Sequence, residues 1–158
     1  MMTESFEFLS TDDLRDDEIL LRLAAAKPAN AEMGYVPAYQ FDICLLDGTP
    51  VGTCDLRVGY SSRLRIGGNI GYSVDEPYRG RHYAARACRQ LLKLAARHGM
   101  EYVDITCNPD NVASARTCEL AGGRLLGRAD VPKDHDMYAR GERQVLIYRF
   151  DTISLPNN

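Results

Sequence analysis

Val74-Asp75-Glu76-Pro77-Tyr78-Arg79-Gly80-Arg81-His82-Tyr83-Ala84-Ala85 reads as the end of a strand, a tight turn and the start of a helix. Pro77 and Gly80 punctuate the turn. Apolar or small residues then recur at Ala84, Ala87, Cys88, Leu91, Leu92 and Ala95, the spacing of one helix face. Gly99 is placed to stop that helix. A helix N-terminus carries partial positive charge and favours Asp or Glu in its first turn. This one gathers Arg79, Arg81 and His82, with Arg86 one turn on. A bound anion such as phosphate resolves the conflict: free backbone N–H groups face it, Gly80 allows close approach, and the arginines neutralise it. A solvated basic turn is the simpler alternative for Arg-Gly-Arg taken alone.

The chain of 158 residues suits one domain with one core, spanning about residues 6–150 with 151–158 as a tail. A hydrophobic share of 45% with 26% charged residues is ordinary for a globular chain, and no apolar run approaches membrane-spanning length. The N-terminus is acidic from Glu4 onward and lacks a signal pattern. A cytoplasmic protein with no membrane partner is therefore expected. The five cysteines, Cys44, Cys54, Cys88, Cys107 and Cys118, are odd in number and contain no CxxC pair, which fits neither a disulfide framework nor a metal site.

Charge divides unevenly. Residues 1–56 hold 11 acidic and 3 basic side chains, net −8, and residues 57–158 hold 11 acidic and 16 basic, net +5. An acidic chain without a basic run argues against nucleic acid as the main partner. The split suits an anionic ligand on the second half and a cationic one met by the first; a solvated acidic helix explains the first half equally well.

In chain order, Phe6–Leu9 alternates as a first strand. Ser10, Thr11 or Asp12 caps an expected helix with Asp12, Asp13, Asp16, Asp17 and Glu18 in its early turns and Leu14, Ile19, Leu20 and Leu23 on its apolar side. Residues 27–37 read as a loop or broken helix. Tyr39–Leu46 is a strand closed by Asp47-Gly48, a hairpin signal, with Val51–Tyr60 as its antiparallel partner. A polar loop at 61–68 leads to the strand Asn69–Val74. After the central helix, Tyr102–Cys107 is a strand, Asn108–Asn111 a capping turn, and residues 111–120 a second helix stopped by Gly122-Gly123. A strand starts at Arg124, residues 131–141 form a polar, mobile loop, and Arg143–Phe150 alternates as the last strand. The order implies an α+β fold with a three-strand antiparallel meander and a mixed sheet.

Two blocks resemble the GNAT acetyltransferase superfamily. Ile70-Gly71-Tyr72-Ser73-Val74 followed by Arg79-Gly80-Arg81-His82-Tyr83-Ala84 resembles its pyrophosphate loop, Gln/Arg-x-x-Gly-x-Gly/Ala. Asn108 to Ser114, then Glu119 to Gly122-Gly123, resembles the helix that follows the family's fifth strand. The resemblance implies a mostly antiparallel central sheet, flanked by helices in three layers, that splays open between the fourth and fifth strands to admit acetyl-CoA. It places the pyrophosphate on backbone N–H groups of Arg81, His82, Tyr83 and Ala84, with Arg79 or Arg81 assisting and Gly80 giving access. It places the pantetheine arm along Tyr72, Ser73 and Val74 and against Asn111 and Ser114. The loop's usual Gly is His82 here, and the family's frequent helix Tyr is Cys118.

The implied reaction is N-acetyl transfer to a primary amine by direct attack, with a small-molecule amine or a peptide or protein amine as acceptor and no metal. Such chemistry needs positioning, a donor for developing charge and a path for protons. Tyr72, Asp104 and Cys118 are the catalytic candidates, each with a plainer alternative: a core aromatic, a carboxylate paired with an arginine, and a small packing residue. His135 reads as an exposed loop residue, and His98 sits at a helix C-terminus, where a cation is favourable. A non-catalytic acyl-CoA sensor of the same fold is the alternative function. The last strand and the 131–141 loop are the expected contacts of a possible homodimer.

Overall fold

The computed structural model describes residues 6–152. Alternation makes its first element a strand. Ile19 and Leu21 are buried while Leu20 and Arg22 are not, and β1 (Ile19–Lys27) pairs antiparallel with β2 (Ala38–Leu45) through a shift at Leu23/Ala25. The helix expected here does not form, and Phe6–Leu9 is not a strand. Residues 11–18 instead turn tightly, with Leu14 N–H donating to Thr11 O and Asp16 N–H to Ile19 O. Asp47-Gly48 closes the hairpin from β2 to β3 (Pro50–Arg57) as expected.

Residues 61–68 are not a loop. Ser61 accepts from Leu64 N–H and caps the short helix α1 (Ser62–Gly67). β4 (Ile70–Val74) then pairs antiparallel with β3, so the meander has four strands in the order β1-β2-β3-β4. A single 3₁₀ turn, Glu76–Tyr78, leads into α2 (Tyr83–Arg97). β5 (Tyr102–Cys107) follows, then α3 (Val112–Leu120), capped by Asn111 Oδ1, which accepts from Ser114 N–H at 3.1 Å. β6 (Arg124–Asp130), α4 (Asp136–Ala139) and β7 (Gln144–Asp151) complete the chain. Gly123 is required between α3 and β6, because a Cβ there would lie 2.5 Å from the Phe150 ring.

The second sheet has the order β5-β7-β6, again antiparallel. The expected splay falls between β4 and β5, where the two sheets part. α2 spans the divide: Ala87, Cys88, Leu91, Leu92 and Leu94 share one buried cluster with Phe41 and Val51 of the first sheet and Val103, Ile105 and Phe150 of the second. The odd-numbered face of β7 belongs to a smaller cluster in which Val145 and Ile147 meet Ile66 of α1 and Met137 of α4.

That cluster corrects the reading of residues 131–141. Val131, His135 and Met137 are buried, and His135 is only 9% exposed. Its Nδ1 accepts from Met137 N–H at 3.2 Å and caps α4, and its Nε2 donates to Arg63 O at 3.2 Å. β7 is flanked by strands on both sides, so it offers no free edge to a second copy; β6 is the outer strand. The early acidic residues have distant partners rather than a local helix. Asp13 pairs with Arg97, and Asp16, Asp17 and Glu18 converge on Arg86. No helix among the described residues is long and apolar enough to cross a membrane. The residues read as a signal-free N-terminus lie partly outside those described, as does the expected tail beyond Thr152.

Candidate active site

The site begins with a sheet edge. β4 is hydrogen-bonded to β3 alone, and its other edge borders a cleft of about 630 Å³, a size typical of small-molecule sites. The cleft runs from Tyr72, Ser73 and Val74 over the 3₁₀ turn to the start of α2, and its far wall is α3.

The turn is built to expose backbone donors. Arg79 Nε donates to Val74 O at 2.8 Å and ties the turn to the end of β4. Gly80 has φ +85°. His82, at the expected Gly position, takes φ 65° and ψ 21°, makes no side-chain cap bond, and leaves the first turn of α2 without an acidic residue. The N–H groups of that turn are therefore free for a ligand. The cleft contains no carboxylate, while Arg79, His82 and Arg116 all line it.

Of the sequence-derived binding residues, the cleft gathers Tyr72, Ser73, Val74, Arg79, Gly80, His82, Tyr83, Ala84, Asn111 and Ser114. Arg81 is exposed beside it and does not line it. Arg86, read as part of the basic cluster, is directed to the acidic segment before β1. Sequence reasoning missed Ala113, Arg116, Thr117 and Leu120, which with Asn111 form the inner face of α3; their helical spacing was the available signal.

The catalytic candidates separate. Tyr72 reaches from β4 across to α3, its hydroxyl 2.6 Å from Ser114 Oγ and 3.9 Å from Cys118 Sγ. Burial, then the neighbouring Cys118 thiol, pushes the phenol well above its usual range, so it stays protonated. Cys118 is fully buried behind it, and burial pushes its thiol up to about 12. Asp104 is not in the cleft. It is 4% exposed and held by Arg149 through two bonds of 2.8 and 2.9 Å, the paired alternative.

A second depression of about 440 Å³ lies on the other side of the four-stranded sheet, lined by Gln40, Asp42, Thr53, Asp55 and Arg57. It meets the first at Tyr72 and Ser73. Asp55 Oδ1 accepts from Gly71 N–H at 2.7 Å, which fastens that carboxylate over β4.

Known proteins share this fold. The ribosomal-protein-S5-alanine acetyltransferase of Vibrio fischeri superposes with a TM-score of 0.58 at 18% identity, over 76% of this chain and 64% of that one. A Salmonella typhimurium acetyltransferase that modifies the N-terminal serine of ribosomal protein L7/L12 gives 0.56 at 21% identity, over 76% and 66%. The microcin C7 self-immunity acetyltransferase, solved with acetyl-CoA and AMP, gives 0.54 at 18%, over 72% and 61%. At these identities the likeness is one of fold, and the chain spans about two thirds or less of each neighbour. No curated protein matches the sequence. A model of the acetyltransferase (GNAT) domain matches residues 4–124. The chain belongs to the GNAT acetyltransferase family.

Proposed function

We propose that this protein transfers an acetyl group from acetyl-CoA to a primary amine by direct attack. One observation carries the reading: a carboxylate-free cleft, lined by Arg79, His82 and Arg116, joins the uncapped start of α2 to the free edge of β4. Acetyl-CoA supplies the activated thioester. The first-turn N–H groups of α2 hold its pyrophosphate, with Arg79 and Arg116 adding charge. The open N–H and C=O groups of Tyr72–Val74 hold the pantetheine amides as an added strand would.

Tyr72 is the hydrogen-bond donor of this site: a phenol this weakly acidic steadies the departing thiolate and keeps its proton, while the amine's proton leaves to solvent. Its hydroxyl remains protonated at neutral pH and stands at the inner end of the cleft beside Ser114, the place from which it can hydrogen-bond a departing sulfur. Cys118 takes no covalent part. Burial pushes its thiol up to about 12, far from the thiolate form at neutral pH, and it is fully buried. Asp104 is committed to Arg149 and does not line the cleft.

The acceptor approaches β4 from the second depression, whose carboxylates Asp42 and Asp55 are paired with Arg22 and Arg57 and would have to be shared with an incoming ammonium group. A peptide or protein N-terminus fits this reading: one structural neighbour modifies the N-terminal serine of ribosomal protein L7/L12, and another is a ribosomal-protein-S5-alanine acetyltransferase. Release of free CoA thiol, measured with peptide N-termini and small amines, tests the proposal. Amine-dependent release supports it. Tight acetyl-CoA binding with no release for any amine would instead favour an acyl-CoA sensor.

A further inference from the structure

The splay between β4 and β5 has an apex, and one side chain makes it. Asn69, immediately before β4, is 2% exposed. Its backbone N–H donates to Asp104 O at 2.7 Å, and its Oδ1 accepts from Asp104 N–H at 3.0 Å. Its Nδ2 donates to Arg57 O at 3.1 Å and Gly59 O at 2.9 Å, and its own carbonyl accepts from Arg57 N–H at 2.7 Å. Every polar group of the residue is therefore used, on β3, the loop after it, and β5. Both backbone groups of Asp104 go to Asn69, so the two sheets share one closed ring of hydrogen bonds.

The surroundings brace that ring. Thr106 Oγ1 donates to Ile66 O at 2.7 Å, and Arg57 donates to Gly68 O at 2.7 Å. Gly68 has φ +82°, and a Cβ there would sit 3.1 Å from Thr106 N, so only glycine passes between the strands. Three residues past Asn69, about 10 Å along the strand, Tyr72 already lines the cleft and bonds to α3 rather than β5.

We propose that Asn69 is a positioning residue that sets the opening of the cleft. Its side-chain amide completes, with its backbone N–H, the pair of bonds that joins the start of β4 to Asp104 of β5 and lets the strands diverge beyond it, which fixes the free edge of Tyr72–Val74 relative to α3. This rests on reading the cleft as the acetyl-CoA site. The edge would meet the pantetheine arm; the turn at Arg79–Ala84, which Asn69 does not touch, would meet the phosphates. Asn69 therefore governs the arm and not the nucleotide.

The test is titration of wild type, Asn69→Ala and Asn69→Ser with acetyl-CoA and with 3′-phospho-ADP, the nucleotide portion alone. Both variants should weaken acetyl-CoA about tenfold or more and leave 3′-phospho-ADP within about twofold. Serine keeps a short hydrogen-bonding side chain and carries the test where alanine does not fold. Arg97→Ala, which loses only the surface pair with Asp13, is the control for lost stability and should change neither affinity. Equal weakening of both ligands, or of neither, in the Asn69 variants would overturn the assignment. Failure of wild type to bind acetyl-CoA would overturn the reading of the cleft itself.

Discussion

Replacing His82 with glycine should stabilise the protein. His82 is the one non-glycine residue with positive φ among the described residues, at 65°. A side chain in the left-handed region costs roughly 1–2 kcal/mol from the clash of Cβ with the backbone. Glycine removes that cost but frees the unfolded chain, which returns about 0.4–1 kcal/mol. No capping bond is lost, since the imidazole makes none. The net gain is about 0.5–1 kcal/mol, or roughly 1–4 °C in Tm for a chain of this size. His82→Ala is the control: it deletes the imidazole and keeps the Cβ, so it should gain little. Thermal unfolding of the three proteins decides the matter. A lower Tm for His82→Gly, or an equal gain for alanine, would refute the strain argument.

Other perturbations follow from the same geometry. Arg86→Ala breaks the pairing with Asp16, Asp17 and Glu18 and should cost about 1 kcal/mol in urea unfolding while leaving acetyl-CoA affinity unchanged; weakened binding would return Arg86 to the site. Asp104→Ala leaves Arg149 without its partner and should cost about 3 kcal/mol; a variant as stable as wild type would contradict the buried pair. Cys118→Ala should keep turnover within about threefold, and total loss with binding intact would give the thiol a direct role. His98 should make stability fall in acid. Burial holds its pKa below the ordinary 6.5, and Tyr39, whose hydroxyl accepts from Leu9 N–H, donates to its neutral Nε2 at 2.6 Å. The lowered folded pKa means this contribution is complete above about 6.5 and is lost as pH falls through the folded value; His98→Gln should flatten that slope in urea midpoints.

Much of the fold was legible where local signals agreed. Asp47-Gly48 marked the hairpin, the apolar face from Ala84 to Ala95 marked α2, and Asn111 marked the start of α3. The region before β1 misled because Ile19, Leu20 and Leu23 satisfy a helical period as well as Ile19 and Leu21 satisfy a strand. Ala24–Ala26 favour helix, and Asp12–Glu18 imitate an acidic first turn. Pairing with β2, and ion pairs to Arg86 and Arg97 some 70 to 84 residues away, decide the outcome. His135 looked exposed because its cover comes from α1, a six-residue helix too short to show a period. The turn and helix start that line the cleft were readable because they are contiguous in sequence. Asn69 was not, since its significance depends on which strand stands opposite.

The central claim is most directly tested by isothermal titration of acetyl-CoA into wild type and Arg79→Ala/Arg116→Ala, with ATP as the comparison ligand. Saturable binding of one acetyl-CoA per chain is expected, weakened about tenfold or more in the double variant, with ATP binding much more weakly. No binding to wild type, or equal affinity in the variant, would contradict the assignment of this cleft.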